Sequence, residues 1–259
     1  MRILKLGGSV VTDKEKPFTA NVGNIRRLSE EVASSGPQPI LVVHGGGSFG
    51  HPVAKEHGIS GGLKRRGQLA GFSRTHQAMV ELNRVIVDAL LDAGVPAFSL
   101  SPSTFITTTA RRVTELDATI IRALLGHGMV PVLYGDAVLD TQQGFAILSG
   151  DQLVAVLAHT LRAERIVLGS DVDGVYTADP KLAGDARLIP RLSLRELDGM
   201  VRIGEALNTD VTGGMLGKVR EATSAVEAGV EVVIVNAGEP GRVGAALRGE
   251  KVMGTVLTR

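Results

Sequence analysis

Short apolar runs alternate along this chain with longer segments of helical period, and that alternation restricts the folds open to it. The patterning predicts strands at 3–6, 39–43, 97–100, 130–134, 165–168 and 230–235. Between them it predicts helices at 24–33, 64–93, 117–126, 151–161 and 214–228. Runs at 137–139 and 145–148, joined by a polar turn, predict a hairpin. Strands separated by helices of about ten residues or more pair in parallel, and the helices then cover both faces of the sheet. The expected class is therefore α/β, with a mainly parallel central sheet. The natural internal division falls near Gly150, between two lobes rather than two independent domains.

Composition narrows the function. The chain of 259 residues carries 28 Lys+Arg against 27 Asp+Glu, a formal net charge of +1. Without a cation excess it is not expected to coat nucleic acid or to bind a membrane through a polybasic patch. Aromatic residues make up only 3%, with no Trp, which argues against a stacking platform for single strands. The absence of Cys removes disulfides, thiolate metal sites and cysteine nucleophiles, and fits a reducing compartment. No apolar run approaches the ~18–20 residues that span a bilayer. The apolar start meets Gly7-Gly8 too soon to be a signal-peptide core, so a cytoplasmic protein is expected.

Glycine is the outlier, with 33 residues, many of them bunched in a few loops. In open α/β sheets ligands bind beyond the carboxyl ends of strands, and the clusters stand there. Gly7-Gly8-Ser9 follows the first predicted strand, Gly45-Gly46-Gly47-Ser48 the second, and Gly169-Ser170-Asp171 a later one. Such loops offer backbone N–H groups at helix starts, which suits anions. Neither a Walker motif nor a dinucleotide fingerprint is present. Lys5, at a strand end beside a glycine turn, can aim its ammonium where loop amides converge, or can simply be solvated. His44 can buttress its strand end, whereas His51 is better placed to donate to an anion from the start of a helix. Asp151 can cap the helix it opens, or can orient nearby lysines. Asp171 and Asp173 suggest a metal, though Gly174 and Pro180 equally suggest turns. Lys218 lies one turn inside a predicted helix, facing the preceding loop.

Taken in order, Lys5-Leu6-Gly7-Gly8-Ser9, His44-Gly45-Gly46-Gly47, Asp171-Val172-Asp173-Gly174-Val175-Tyr176 and Gly213-Gly214-Met215-Leu216-Gly217-Lys218 resemble the amino acid kinase superfamily. The combination spans residues 5–218 and is more specific than any piece. Gly47-Ser48-Phe49-Gly50-His51 and Thr209-Asp210-Val211-Thr212-Gly213-Gly214-Met215 resemble, within it, the isopentenyl phosphate kinase family.

The resemblance implies an open αβα sandwich, a homodimer, an N-terminal acceptor lobe over about 1–150 and a nucleotide lobe over about 151–259. It implies transfer of the ATP γ-phosphoryl group to isopentenyl phosphate, in the alternative mevalonate route of isoprenoid synthesis. Lys5, Lys14 and Lys218 would meet the ATP phosphates and the transferring group, with Asp151 organising the lysines. Gly7, Gly8, Ser9 and Gly47 would join them at the phosphates. Ser170, Asp171, Tyr176, Asp179, Pro180, Lys181 and Gly214 would border the nucleotide. The acceptor phosphate would lie against Gly46, Gly47, His51 and Gly150. Phe72, His76, Met79 and Ile147 are the candidates for an apolar tail pocket. Mg²⁺ is expected with ATP, held by phosphates and water and with no protein ligand assigned. The alternatives are a kinase of the same fold acting on a fosfomycin-type phosphonate, and a non-catalytic nucleotide-binding sensor or storage subunit.

Overall fold

The computed structural model describes residues 1–178, 180, 183–197 and 215–259. Its centre is strand β1 (Arg2–Leu6), which pairs in parallel with β2 (Ile40–His44) on one side. The remaining strands of the two sheets are β3 (Ala97–Ser99), β4 (Ile106–Thr109), β5 (Arg112–Leu116), β6 (Val130–Tyr134), β7 (Asp136–Asp140), β8 (Gly144–Leu148), β9 (Arg165–Ser170), β10 (Arg191–Ser193), β11 (Glu231–Asn236) and β12 (Thr255–Thr258). The large sheet runs β10-β12-β11-β9-β1-β2-β6-β3, and only the β11–β12 pair in it is antiparallel. Because β1 pairs with both β2 and β9, strands from before and after residue 150 share one sheet.

The strand sequences show why the sheet is covered twice. Ile3, Leu41, Val43, Ile166 and Leu168 belong to one core, while Leu4, Leu6, Val42 and Val167 belong to another. Successive side chains on a strand point to opposite faces, so an unbroken apolar strand needs helices on both sides. One core is closed by α6 (Gly150–Leu161) and α7 (Met215–Glu227), through Leu153, Leu157, Val219 and Ala222. The other is closed by α2 (Val22–Ala33), α4 (Gln68–Asp92) and α8 (Arg242–Arg248), through Leu28, Leu82, Ile86 and Val243. This is an αβα sandwich, and the mainly parallel sheet read from the sequence is its middle layer.

The predicted hairpin forms as β7 and β8, in antiparallel register from Asp136↔Leu148 to Asp140↔Gly144. It belongs to a separate four-stranded sheet of order β5-β4-β7-β8, of which the apolar pattern gave only half. Strands β4, β5, β10 and β12 are short and at least half polar, so no apolar run marks them, and helices α1 (Gly8–Val11) and α8 are too short to establish a period. Helix α4 begins at Gln68 rather than at residue 64, and α5 (Thr119–Gly126) begins two residues after the predicted 117. Gln68 Oε1 accepts from the amides of Lys64 and Arg65, holding those residues in a turn outside the helix.

Candidate active site

Three strand ends build the site. Beyond β1 the ladder continues as Gly7 donates to the Gly169 carbonyl at 2.9 Å, and beyond β2 as Gly45 donates to Leu6 at 2.9 Å. The two loops then meet backbone to backbone. A Cβ on Gly8 would stand 2.3 Å from the Gly47 nitrogen, and one on Gly45 would stand 2.8 Å from the Gly8 nitrogen. Gly47 also has φ +47 and faces Thr12 Oγ1 at 2.1 Å from its hypothetical Cβ. Only glycine satisfies both the space and the dihedral. Thr12 locks the junction, donating from Oγ1 to the Gly8 carbonyl at 2.7 Å and accepting from the Ser48 amide at 3.0 Å.

Helix α3 (Gly47–Glu56) starts in this junction, and His51 is its fifth residue, one turn past its start. Pro52 lies inside the helix and has no N–H to give the Ser48 carbonyl. The Phe18 amide takes that carbonyl at 3.1 Å, and the Phe18 ring packs edge-on against Phe49 at 5.6 Å. A proline in the helix thus docks the 12–20 turn, which carries Lys14. Lys14 Nζ reaches Asp171 Oδ2, just past β9, at 2.9 Å. Burial works against the charge on Asp171, but the bond and positive charge of Lys14 bring its carboxyl below the usual value. Ser9, Lys14 and Asp171 line an open depression of about 510 Å³.

Helix α6 supplies the carboxylate. Ser149 Oγ accepts from the Gln152 amide at 3.1 Å and is the N-cap, so Asp151 is spared that duty. Lys5 Nζ stands 2.8 Å from Asp151 Oδ1, and Lys218 Nζ stands 3.6 Å from Oδ2. Lys5 is only 3% exposed. Burial lowers its pKa, the charge of Asp151 pulls it back up, and Lys218 lowers it further. Burial alone would raise Asp151, but the two ammonium groups outweigh it and hold the carboxyl below its usual range. His51 reaches the surface, yet the protein around it, then Lys218 and Lys5, lower its imidazole, which favours the neutral ring.

A cavity of about 230 Å³ opens between these groups. Its lining combines Lys5, Gly8, Gly46, His51, Gly150, Asp151 and Lys218 with the apolar side chains of Ala54, Met79, Ile147 and Leu148. Seven candidates from the sequence and two of the four tail-pocket candidates therefore meet in one space. The other two lie elsewhere. Phe72 stacks on Phe145 at 5.1 Å within a small core cluster. His76 pairs through Nδ1 with Asp136 Oδ1 at 3.0 Å, a bond that raises its pKa.

Tyr176 donates to Asp173 Oδ2 at 2.9 Å, and Ser170 is buried beside Asp171. Pro180 is exposed. Asp179, Lys181 and Gly214 lie outside the described residues. Sequence reasoning passed over Ala54, Thr75, Gly135, Asp136 and Leu148, which also line the cavity. Tyr134-Gly135-Asp136 repeats the signal of a glycine at a strand end, and that signal could have found it. Thr75 carries no such signal; its helix face alone brings it there. Among the described residues, no three His, Asp or Glu side chains converge to hold a metal ion, and no helix is long and apolar enough to cross a membrane.

A model of the amino acid kinase family matches residues 1–236 of the chain. An isopentenyl phosphate kinase of Methanothermobacter thermautotrophicus is 45% identical, the alignment covering 100% of this chain and 99% of that one. An isopentenyl phosphate kinase of Thermoplasma acidophilum is 36% identical over 99% of this chain and 100% of its own. A solved isopentenyl phosphate kinase structure, 42% identical, superposes with a TM-score of 0.86 over 99% of each chain.

Proposed function

The chain belongs to the amino acid kinase family, and from that premise we propose that it phosphorylates isopentenyl phosphate with ATP, giving isopentenyl diphosphate and ADP. The observation that carries this reading is that one cavity is lined both by glycines and two lysines and by Ala54, Met79, Ile147 and Leu148. A phosphate on a short apolar tail finds partners for both of its parts in that lining.

The chemistry suits what the site holds. A phosphate monoester has a second pKa near ~6 and is largely dianionic at pH 7. Its oxygen attacks the γ-phosphorus directly, the bond to the β-phosphate oxygen breaks, and ADP leaves; no general base is needed. The obstacle is repulsion between two polyanions, so catalysis consists of positioning and charge stabilisation. Lys5 and Lys218, held apart and aimed by Asp151, supply that charge at the transferring group. Lys14 exchanges Asp171 for phosphate oxygen when nucleotide arrives. His51, neutral with one N–H, donates to the acceptor phosphate beside the Gly46 and Gly47 amides. The donors here are ammonium and amide groups, which suit phosphate rather than a bare cation. Mg²⁺, when bound with the nucleotide, would be held by phosphate oxygens and water rather than by these residues, and would supply charge neutralisation at the transferring group.

The same reading assigns residues 1–150 to the acceptor and 151–259 to the nucleotide. It places the protein in the cytoplasm as a homodimer serving the alternative mevalonate route of isoprenoid synthesis. A coupled ADP-release assay offering isopentenyl phosphate, dimethylallyl phosphate, fosfomycin and acidic amino acids tests it. Preferred turnover of isopentenyl phosphate is expected. Preference for fosfomycin or an amino acid, or ATP binding without turnover of any acceptor, would overturn the reading.

A further inference from the structure

His44 ends β2 and lies wholly inside the protein, and the transfer described above makes no use of it. Its partners settle where its proton sits. Nδ1 is 3.1 Å from the Gly45 carbonyl oxygen; a carbonyl only accepts, so Nδ1 carries the hydrogen. Burial, opposed by that bond and assisted by the positive charge of Lys5, brings the imidazole down to about 4. The ring is therefore neutral and Nε2 is bare. Asn83 Nδ2, 3.1 Å away, donates to Nε2, which turns Asn83 Oδ1 toward Ser99. The Ser99 hydroxyl donates to that oxygen at 2.6 Å. A relay thus runs from Ser99, exposed on edge strand β3, through buried Asn83 on α4, to His44 and the glycine loop.

What the relay holds is a single peptide plane. Across a trans peptide the carbonyl and the following N–H point in opposite directions. With the Gly45 carbonyl turned toward the buried ring, the Gly46 N–H is turned away from it, and Gly46 lines the cavity. Among the described residues nothing accepts from that amide. The preceding plane is fixed as well, because the Gly45 amide donates to Leu6. A peptide between two glycines has the widest choice of dihedrals, so its orientation needs an external restraint.

We propose that His44 is a positioning residue: in its Nδ1–H tautomer, backed by Asn83 and Ser99, it pins the Gly45–Gly46 peptide with the Gly46 N–H presented to the acceptor phosphate. This rests on the assignment of the cavity to isopentenyl phosphate. A donor fixed before the substrate arrives loses no binding energy to its own ordering.

Two substitutions separate this role from simple packing. Asparagine places its amide nitrogen where Nδ1 stands, and glutamine places its own nearer Nε2. His44→Asn keeps a donor to the Gly45 carbonyl, and KM for isopentenyl phosphate should stay within about threefold of wild type. His44→Gln lacks it, and that KM should rise about tenfold or more while KM for ATP changes less than about twofold. Nitrogen-15 spectra of the histidine-labelled wild-type protein should show the proton on Nδ1 and a bare Nε2, a readout that does not depend on either variant folding. Equal behaviour of the two variants, or a proton on Nε2, overturns the proposal and leaves the kinase reading standing. Failure of the wild-type protein to turn over isopentenyl phosphate overturns both.

Discussion

At the scale of the residue, the proposed chemistry asks one lysine to stay charged where water is scarce. Lys5 is buried and its pKa lowered, and Asp151 is the group that offsets this. Replacing Lys5 with Ala should cut kcat by about 10²–10³-fold with the fold retained, since it removes one preorganised donor to the developing charge. Steady-state kinetics with circular dichroism checks both halves, and near-normal turnover would remove Lys5 from the mechanism. Asp151→Asn leaves Lys5 buried without its counter-charge, so its pKa falls further and the ammonium is lost at lower pH. The alkaline limb of the kcat/KM profile should therefore move toward lower pH; an unmoved limb would detach Lys5 from Asp151. His51→Ala should raise KM for the acceptor about tenfold or more and leave that for ATP nearly unchanged. Equal loss on both substrates would contradict the placement of His51.

Among the elements, the junctions between loops decide more than the helices and strands themselves. The turns after β1 and β2 touch through glycine backbone, and Gly47 combines a left-handed dihedral with a side-chain-sized clash against Thr12. Gly47→Ala should cost about 3 kcal/mol from strain and overpacking together and abolish turnover. Thermal denaturation beside the activity assay tests this, and a stable, active variant would show that the loops can part. The hairpin of β7 and β8 has its own knot at Asp140. Burial alone would raise that carboxyl, but the amides of Arg111, Gln143 and Gln142 and the Thr108 hydroxyl bring it down to about 2. A folded value below the unfolded one, about 3.9, favours the folded state above about pH 4, and that contribution disappears as pH falls toward 2. Asp140→Asn should lower stability at pH 7 by about 2 kcal/mol, with the difference shrinking between pH 4 and pH 2. Denaturant titrations across that range measure it; a difference that does not change with pH would deny the carboxylate its role.

Over the whole molecule, the homodimer that accompanies the kinase reading predicts a mass in solution of twice 27.1 kDa by light scattering. A single-chain mass would confine catalysis to one protomer. The αβα sandwich itself was legible because its signal is periodic. Leu41, Val42 and Val43 are all apolar, and a strand apolar on both faces requires two helix layers wherever it stands. The ordered glycine clusters likewise marked the strand ends, since close approach of backbone demands glycine before any partner is known. Other features had no local signature. The second sheet joins the legible β7–β8 hairpin to β4 and β5, which are more than half polar and carry no apolar run. Whether Asp151 capped its helix or served the lysines was open from residues 149–151 alone, and was decided when Ser149 took the cap. Phe72 and Met79 share one helix and one character, yet one stacks on Phe145 and the other faces the cavity. The sequence by itself determined the layers and the strand ends where backbone must pack closely, because periodicity and missing side chains are local properties. Only the tertiary structure decided which side chains share the cavity, because that depends on how helix faces turn when distant segments pack.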